Sequence, residues 1–229
     1  MSEPQTLNCK VVLLGESGVG KTCIITRFIN NKFEENTMST TGATFAGKAK
    51  KFDQGNGVIK TIQFQIWDTA GQERFRSLSK IFYKDAAIAI FVFDISRKES
   101  FDEIKKYWYT QVQEHSPKKI SKCFIYNVLI WIVLGIAANK SDLFDKEEID
   151  EDEVREFAKE IGAIFRLTSA YNSSGIDELF TALGNKYLDP NFVVSGISGS
   201  KGIVLQNNEQ QKEGAQKNKG GCCGDNKKN

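Results

Sequence analysis

The residues with the clearest chemical capacity lie close to the N-terminus: Gly15-Glu16-Ser17-Gly18-Val19-Gly20-Lys21-Thr22, a match to G-x-x-x-x-G-K-[ST]. In such a run the glycines let successive backbone N–H groups turn inward around an anion at a helix N-terminus. Lys21 would reach the β- and γ-phosphates of a nucleotide, and the Thr22 hydroxyl would ligate Mg2+. A glycine-rich turn without a ligand is the plainer reading. It loses because an apolar strand pattern precedes the run and a helical pattern follows it.

Two further segments carry chemistry that fits the first. Trp67-Asp68-Thr69-Ala70-Gly71-Gln72-Glu73 places Asp68 at the end of a strand pattern, where a carboxylate can hold Mg2+ through a water. The Gly71 N–H can approach a γ-phosphate closely, and Gln72 can orient an attacking water. In Asn139-Lys140-Ser141-Asp142 the Asp142 carboxylate can accept from guanine N1–H and the 2-amino group together. Adenine offers neither donor, so the carboxylate would discriminate between the bases. Thr168-Ser169-Ala170 fits a further base contact, with the Ala170 N–H donating to guanine O6.

These residues need elements to hold them, and the pattern supplies strands alternating with helices. Strands are expected at 9–14, 45–52, 58–67, 87–93, 133–138 and 163–167. Residues 54–57, Gln-Gly-Asn-Gly, read as a hairpin turn between the second and third. Helices are expected at 20–30, 96–114 with Ser96 as N-cap, 147–161 and 175–188. Such alternation predicts an α/β fold with a mostly parallel sheet covered on both faces and ligands at the carboxyl ends of its strands.

Composition bounds the partners. The chain has 31 Lys+Arg against 29 Asp+Glu, and the resulting +2 is too small to predict a nucleic-acid binder. Residues 189–229 hold six Lys and four acids, so the whole excess lies in a tail rich in Gly, Asn, Gln, Ser and Lys, read as disordered linker. One His excludes a His-clustered metal site, and five Cys without framework spacing favour a reducing compartment. The start is polar, without the apolar stretch of a signal peptide, and Ser2 removes N-myristoylation.

In their order and spacing these segments resemble the Rab family of Ras-superfamily small GTPases over about residues 7–188. Thr41-Gly42-Ala43-Thr44-Phe45, Arg74-Phe75-Arg76-Ser77-Leu78, Phe82-Tyr83-Lys84-Asp85-Ala86 and Phe93-Asp94-Ile95-Ser96 carry the likeness. Glu16-Ser17 and Glu99-Ser100-Phe101 look most like the endosomal branch. The resemblance implies a P-loop NTPase three-layer sandwich, with a six-stranded mostly parallel sheet and helices on both faces. It implies binding and hydrolysis of GTP with Mg2+, in a monomeric domain 1–188 that switches between GTP and GDP. Gly15, Ser17, Gly18, Val19, Gly20, Lys21, Thr22 and Cys23 would line the phosphates, with Asn139, Lys140, Asp142, Ser169 and Ala170 at the base. Thr40 would complete the Mg2+ shell with Thr22 and Asp68, Phe33 would lie edge-on to the guanine, and Gln72 would place the water. Phe45, Trp67 and Phe82 match the apolar triad presented to effectors. Hydrolysis would be slow without an activating protein, because no arginine is evident to act in cis. An exchange factor, a GDP-dissociation inhibitor and a prenylation escort are the other implied partners, at the cytoplasmic face of endosomal membranes.

Three features depart from the family. Tyr171 stands where S-A-K is usual. Residues 121–132 are an apolar surplus between helix and strand, too short and interrupted for a membrane span. An edge hairpin, a partner-binding patch or an in-frame unspliced stretch would each look like this. Cys222-Cys223 match the paired cysteines that Rabs prenylate, but six residues follow them, and no C-a-a-X box is present. Two other functions are expected to compete with the switch: an ATP-using P-loop enzyme and a guanine-nucleotide scaffold that does not cycle.

Overall fold

A computed structural model describes residues 6–34, 40, 44–55, 57–69, 85–115 and 132–189. In chain order these form β1 (Thr6–Leu14), α1 (Lys21–Asn30), β2 (Thr44–Asp53), β3 (Ile59–Asp68) and β4 (Ile88–Asp94). Helix α2 follows in three pieces: α-helical Lys98–Glu103, π-helical Ile104–Trp108 and α-helical Tyr109–His115. Then come β5 (Val133–Asn139), a 3-10 turn (Ser141–Lys146), α3 (Glu151–Glu160), β6 (Ile164–Leu167) and α4 (Ile176–Leu188). The strands make one six-stranded sheet in the order β2-β3-β1-β4-β5-β6, antiparallel between β2 and β3 and parallel elsewhere. This is the mostly parallel α/β architecture expected.

Side-chain alternation explains how the sheet is covered. Along β4, Ile88, Ile90 and Val92 enter one core while Ala89, Phe91 and Phe93 enter the other, so every residue of the strand is buried. The first core takes Ile24, Ile25 and Phe28 of α1 and Leu179, Phe180 and Leu183 of α4. The second takes Ile104, Trp108 and Val112 of α2 and Val154 and Ala158 of α3. Each large apolar side chain buried this way contributes about 1.5–3 kcal/mol against its exposed state. Along β3 only one face is deeply buried, by Ile62, Phe64 and Ile66, and the same period delivers Asp68 to that face. Since α1 packs there, the register of β3 sets Asp68 beside the first turn of α1.

Local details differ from expectation for identifiable reasons. β1 begins three residues before the apolar run, because Thr6, Leu7 and Asn8 continue the ladder against Thr61, Ile62 and Gln63. Ser96 is not a helix cap: its N–H and hydroxyl both donate to Asp94 Oδ1, at 3.0 and 2.7 Å, and the helix starts two residues later. Helix α3 starts at Glu151, where the Asp150 side chain accepts from the Asp152 N–H at 2.9 Å. Strand β5 pairs with β4 on one side and β6 on the other, so the apolar surplus before it does not draw it out of the sheet. Of residues 121–132 only Ile132 is described, half-buried against the second core. Gly71, Gln72, Phe82, Cys222 and Cys223 lie outside the described residues, as does the tail beyond Asp189. Among the described residues no helix is long and apolar enough to cross a membrane.

Candidate nucleotide site

The loop between β1 and α1 is shaped by two glycines that nothing larger could replace. At Gly15 (φ +152°) a Cβ would sit 2.1 Å from the Val92 carbonyl oxygen, and at Gly20 (φ +94°) one would sit 2.4 Å from the Asn139 amide nitrogen. Gly18 also takes a positive φ, and Val19 is buried in the first core. Lys21 opens α1, only 6% exposed, and its Nζ donates to the carbonyls of Gly15 and Glu16 at 2.9 and 2.7 Å. The ammonium therefore closes the loop into a ring. Burial pushes its pKa down to about 8, opposed by the charges of Asp68 and Glu16. A phosphate arriving here would meet a cation that has lost most of its water. Cys23, the next residue but one, packs against the first core.

Three oxygens converge beside this ring. The Thr22 hydroxyl donates to Asp68 Oδ2 at 2.6 Å, and Thr40 Oγ1 lies 3.0 Å from Thr22 Oγ1 and 3.4 Å from the same carboxylate oxygen. Asp68 is 3% exposed, and burial raises its pKa against the opposing Thr22 hydrogen bond and Lys21 charge. Its Oδ1 is buried with no hydrogen-bond partner among the described residues. A buried carboxylate with an orphaned oxygen, flanked by two hydroxyls, is a donor set of hard oxygens suited to Mg2+. Among the described residues no three His, Cys, Asp or Glu side chains gather as an all-protein metal cage. A cation held here would share its remaining shell with phosphate oxygens and water.

The residues expected to read the base meet at the ends of β5 and β6. Asp142 accepts a short hydrogen bond from the hydroxyl of the fully buried Ser169, and Ala170 follows directly. Asn139, also expected at the base, braces two loops. Its amide donates to the Val19 carbonyl at 2.8 Å, and its oxygen accepts from Thr168 Oγ1 at 3.3 Å. It thus ties the phosphate loop to the base loop from a buried position. Lys140 adopts φ +63° and directs its ammonium to Asp94 Oδ2 at 2.6 Å.

Asp94 and Arg97 were not singled out from the sequence. Arg97 donates from Nη2 to the Ser17 carbonyl at 3.2 Å, with its guanidinium 3.8 Å from Glu16 and 3.5 Å from Asp94. An arginine therefore does reach the phosphate loop, braced by two carboxylates. Burial alone would raise the Asp94 pKa, but hydrogen bonds from Lys140 and Ser96 overcome it and hold the carboxyl below its ordinary value. The stability this contributes is complete above the ordinary value of 3.8 and is lost as pH falls through the lowered one. Asp94→Asn should cost about 1–3 kcal/mol at neutral pH and remove that part of the acid sensitivity. Urea midpoints at neutral and acid pH measure both, and a variant with the parent's neutral midpoint contradicts the bracing role.

Of the three residues expected to face effectors, Phe45 is 56% exposed and meets Trp67 edge-on across β2 and β3, with ring centroids 5.5 Å apart. Phe33, partly buried, packs against the first core at the root of the chain leading to Thr40.

Comparison with known proteins agrees with this geometry. A profile of the Ras family matches residues 10–189. Ras-related protein Rab-31 of Rattus norvegicus is 41% identical over 204 residues, covering 88% of this chain and 93% of that protein. Rab-22A of Mus musculus is 38% identical over 86% of this chain and 91% of its own length. A putative ras-related protein Rab-5B of Dictyostelium discoideum is 40% identical over 79% and 75% respectively. Neither an ATP-using enzyme nor a non-cycling scaffold is favoured by such kinship. The chain belongs to the Ras family, within its Rab branch, and is a GTPase that acts as a guanine-nucleotide switch.

Proposed function

We propose that the chain is a prenylated switch of endosomal membrane traffic whose GTP state is sensed through Thr40 and Gly71. One observation carries the reading. The hydroxyl of Thr40, from the chain between α1 and β2, meets that of Thr22 on a single oxygen of Asp68. Any ligand that engages the Thr22–Asp68 pair therefore acts directly on the Thr40 segment.

Ras-family GTPases use Mg2+ with the nucleotide, and Thr22, Thr40 and Asp68 are the residues that would hold it here. When bound, the ion neutralises charge developing on the phosphate oxygens. Lys21 supplies a desolvated positive charge to the β- and γ-phosphates, and the Gly71 N–H donates to the γ-phosphate. Gln72 orients a water whose oxygen bonds to the γ-phosphorus as the bond to the β–γ bridging oxygen breaks. GDP leaves with the bonding electrons, and the water protons pass to the released phosphate and solvent. An activating protein supplies the further positive charge this step needs. Loss of the γ-phosphate withdraws the ligand from Thr40 and Gly71, and that withdrawal is the signal effectors read at Phe45, Trp67 and Phe82.

Likeness to the Rab-31, Rab-22A and Rab-5B proteins supports the endosomal assignment. An exchange factor, an inhibitor of GDP dissociation and a prenylation escort complete the cycle. Residues 189–229 serve as a linker, and Cys222 and Cys223 carry two prenyl chains, which anchor stably where one would be marginal. Expressed as a tagged full chain, the Cys222→Ser/Cys223→Ser variant should move from the membrane to the cytosolic fraction. Persistent membrane recovery would remove the lipidation sites from the account. For residues 121–132 we infer an in-frame retained stretch of transcript, which sequencing across codons 118–136 decides. A transcript that encodes them throughout leaves an edge hairpin or a partner-binding patch.

A further inference from the structure

We propose that Tyr171 is a positioning residue for nucleotide retention: it latches Phe33 to the base loop and so slows release of the bound nucleotide. The inference rests on the assignment of Asp142 and Ala170 to the guanine.

The two rings meet edge-to-face, with centroids 5.5 Å apart and planes at 89°. They come from segments far apart in the chain. Phe33 lies three residues beyond α1 and seven before Thr40, whereas Tyr171 directly follows Ala170. One guanidinium fixes both backbones. Arg27, in the last turn of α1, donates from Nε to the Ala170 carbonyl and from Nη2 to the Tyr171 carbonyl, both at 2.8 Å. Its Nη1 donates to the Asn31 carbonyl at 2.9 Å, at the root of the segment that carries Phe33. From the other side, the Asn172 N–H donates to Ser169 Oγ at 3.2 Å, and that hydroxyl is the one bound to Asp142.

The backbone at Tyr171 is therefore held on both sides, while its side chain is 59% exposed. A ring that exposed adds little to the core, and its defined contact is Phe33. Phe33 in turn leans on the first core with a partly buried side chain. The pair spans the gap between the chain leading to Thr40 and the loop of Ser169 and Ala170. In the proposed latch, a base held by Asp142 and Ala170 is released when the two rings part. An edge-to-face contact is worth a few-fold to about tenfold in an equilibrium or a rate. A lysine at this position would offer an alkyl stem and a charge in place of an aromatic partner. Because GDP and GTP share the base, the latch acts on both.

The test is the release of a fluorescent GDP from the full chain into excess unlabelled GDP with Mg2+. Tyr171→Ala should speed release about three- to tenfold, while Tyr171→Phe stays within about twofold of the parent. Phe33→Leu should also speed release, and adding Tyr171→Ala to it should bring no further increase, since the partner is already gone. The latch is overturned if Tyr171→Ala releases at the parent rate, if Tyr171→Phe is as fast as Tyr171→Ala, or if the two substitutions multiply independently. Should Phe33→Leu fail to fold, the two exposed Tyr171 variants still decide the matter. Asp142→Ala separates the underlying reading: unchanged guanine binding in that variant defeats the base assignment, whereas weakened binding with an inert Tyr171→Ala defeats the latch alone.

Discussion

Asp142→Ala should weaken GTP and GDP binding by roughly a hundred- to ten-thousandfold. The estimate comes from two hydrogen bonds to a charged acceptor, each worth about 1.5–3 kcal/mol. It is sharpened by the neighbour: Ser169 is fully buried and gives its hydroxyl hydrogen to Asp142, so its removal also leaves that donor without an acceptor. A companion measurement isolates the mechanism. Inosine diphosphate lacks the 2-amino group, so the parent protein should bind it more weakly than GDP, and Asp142→Ala should no longer tell the two apart. Calorimetry with both nucleotides on both proteins gives the four affinities. Equal discrimination in parent and variant would move the base contact elsewhere.

The second large effect is expected at Gln72. Gln72→Leu should lower activator-stimulated hydrolysis by roughly a hundredfold or more, the cost of an unplaced water, with GTP still bound. Single-turnover release of phosphate from GTP-loaded protein reads it. Full stimulated turnover in the variant would contradict the assigned role. The contrast with Asp142 is diagnostic, because one substitution costs binding and the other costs the chemical step.

Much of this site is legible in the sequence because its parts are contiguous motifs at the ends of strands. Gly15 to Thr22, Asp68 and Asn139 to Asp142 each follow an apolar strand, and the sheet order then brings them together. What escapes a linear reading is cross-chain. Arg97 reaches Ser17 and Glu16 across 80 residues of sequence, and Arg27 reaches Ala170 across 143. No local spacing encodes either contact. Asn139 shows the same limit in another way: the motif fixes its position, but only the fold shows that its amide braces Val19 and Thr168. Ser96 was expected as a cap on propensity, yet Asp94 is two residues away at the end of a buried strand and takes both of its donors. The π-helical turn at Ile104–Trp108 sits in a pattern that reads as ordinary helix, since its apolar residues still reach the second core.

Tyr171 shows what the structure adds to a departure from family pattern. In sequence it is a missing lysine with an open consequence for affinity. In the fold it has a partner, Phe33, and a clamp, Arg27, and the consequence becomes a rate that can be measured.

The central claim is that this chain holds and turns over a guanine nucleotide. Its most direct test is the identity and fate of the nucleotide carried by the purified full chain. Chromatography of the denatured protein should find GDP or GTP near one per chain, and GTP-loaded protein should convert slowly to GDP, faster with an activating protein. Bound ATP, or GTP that is held but never hydrolysed with an activator, would contradict it.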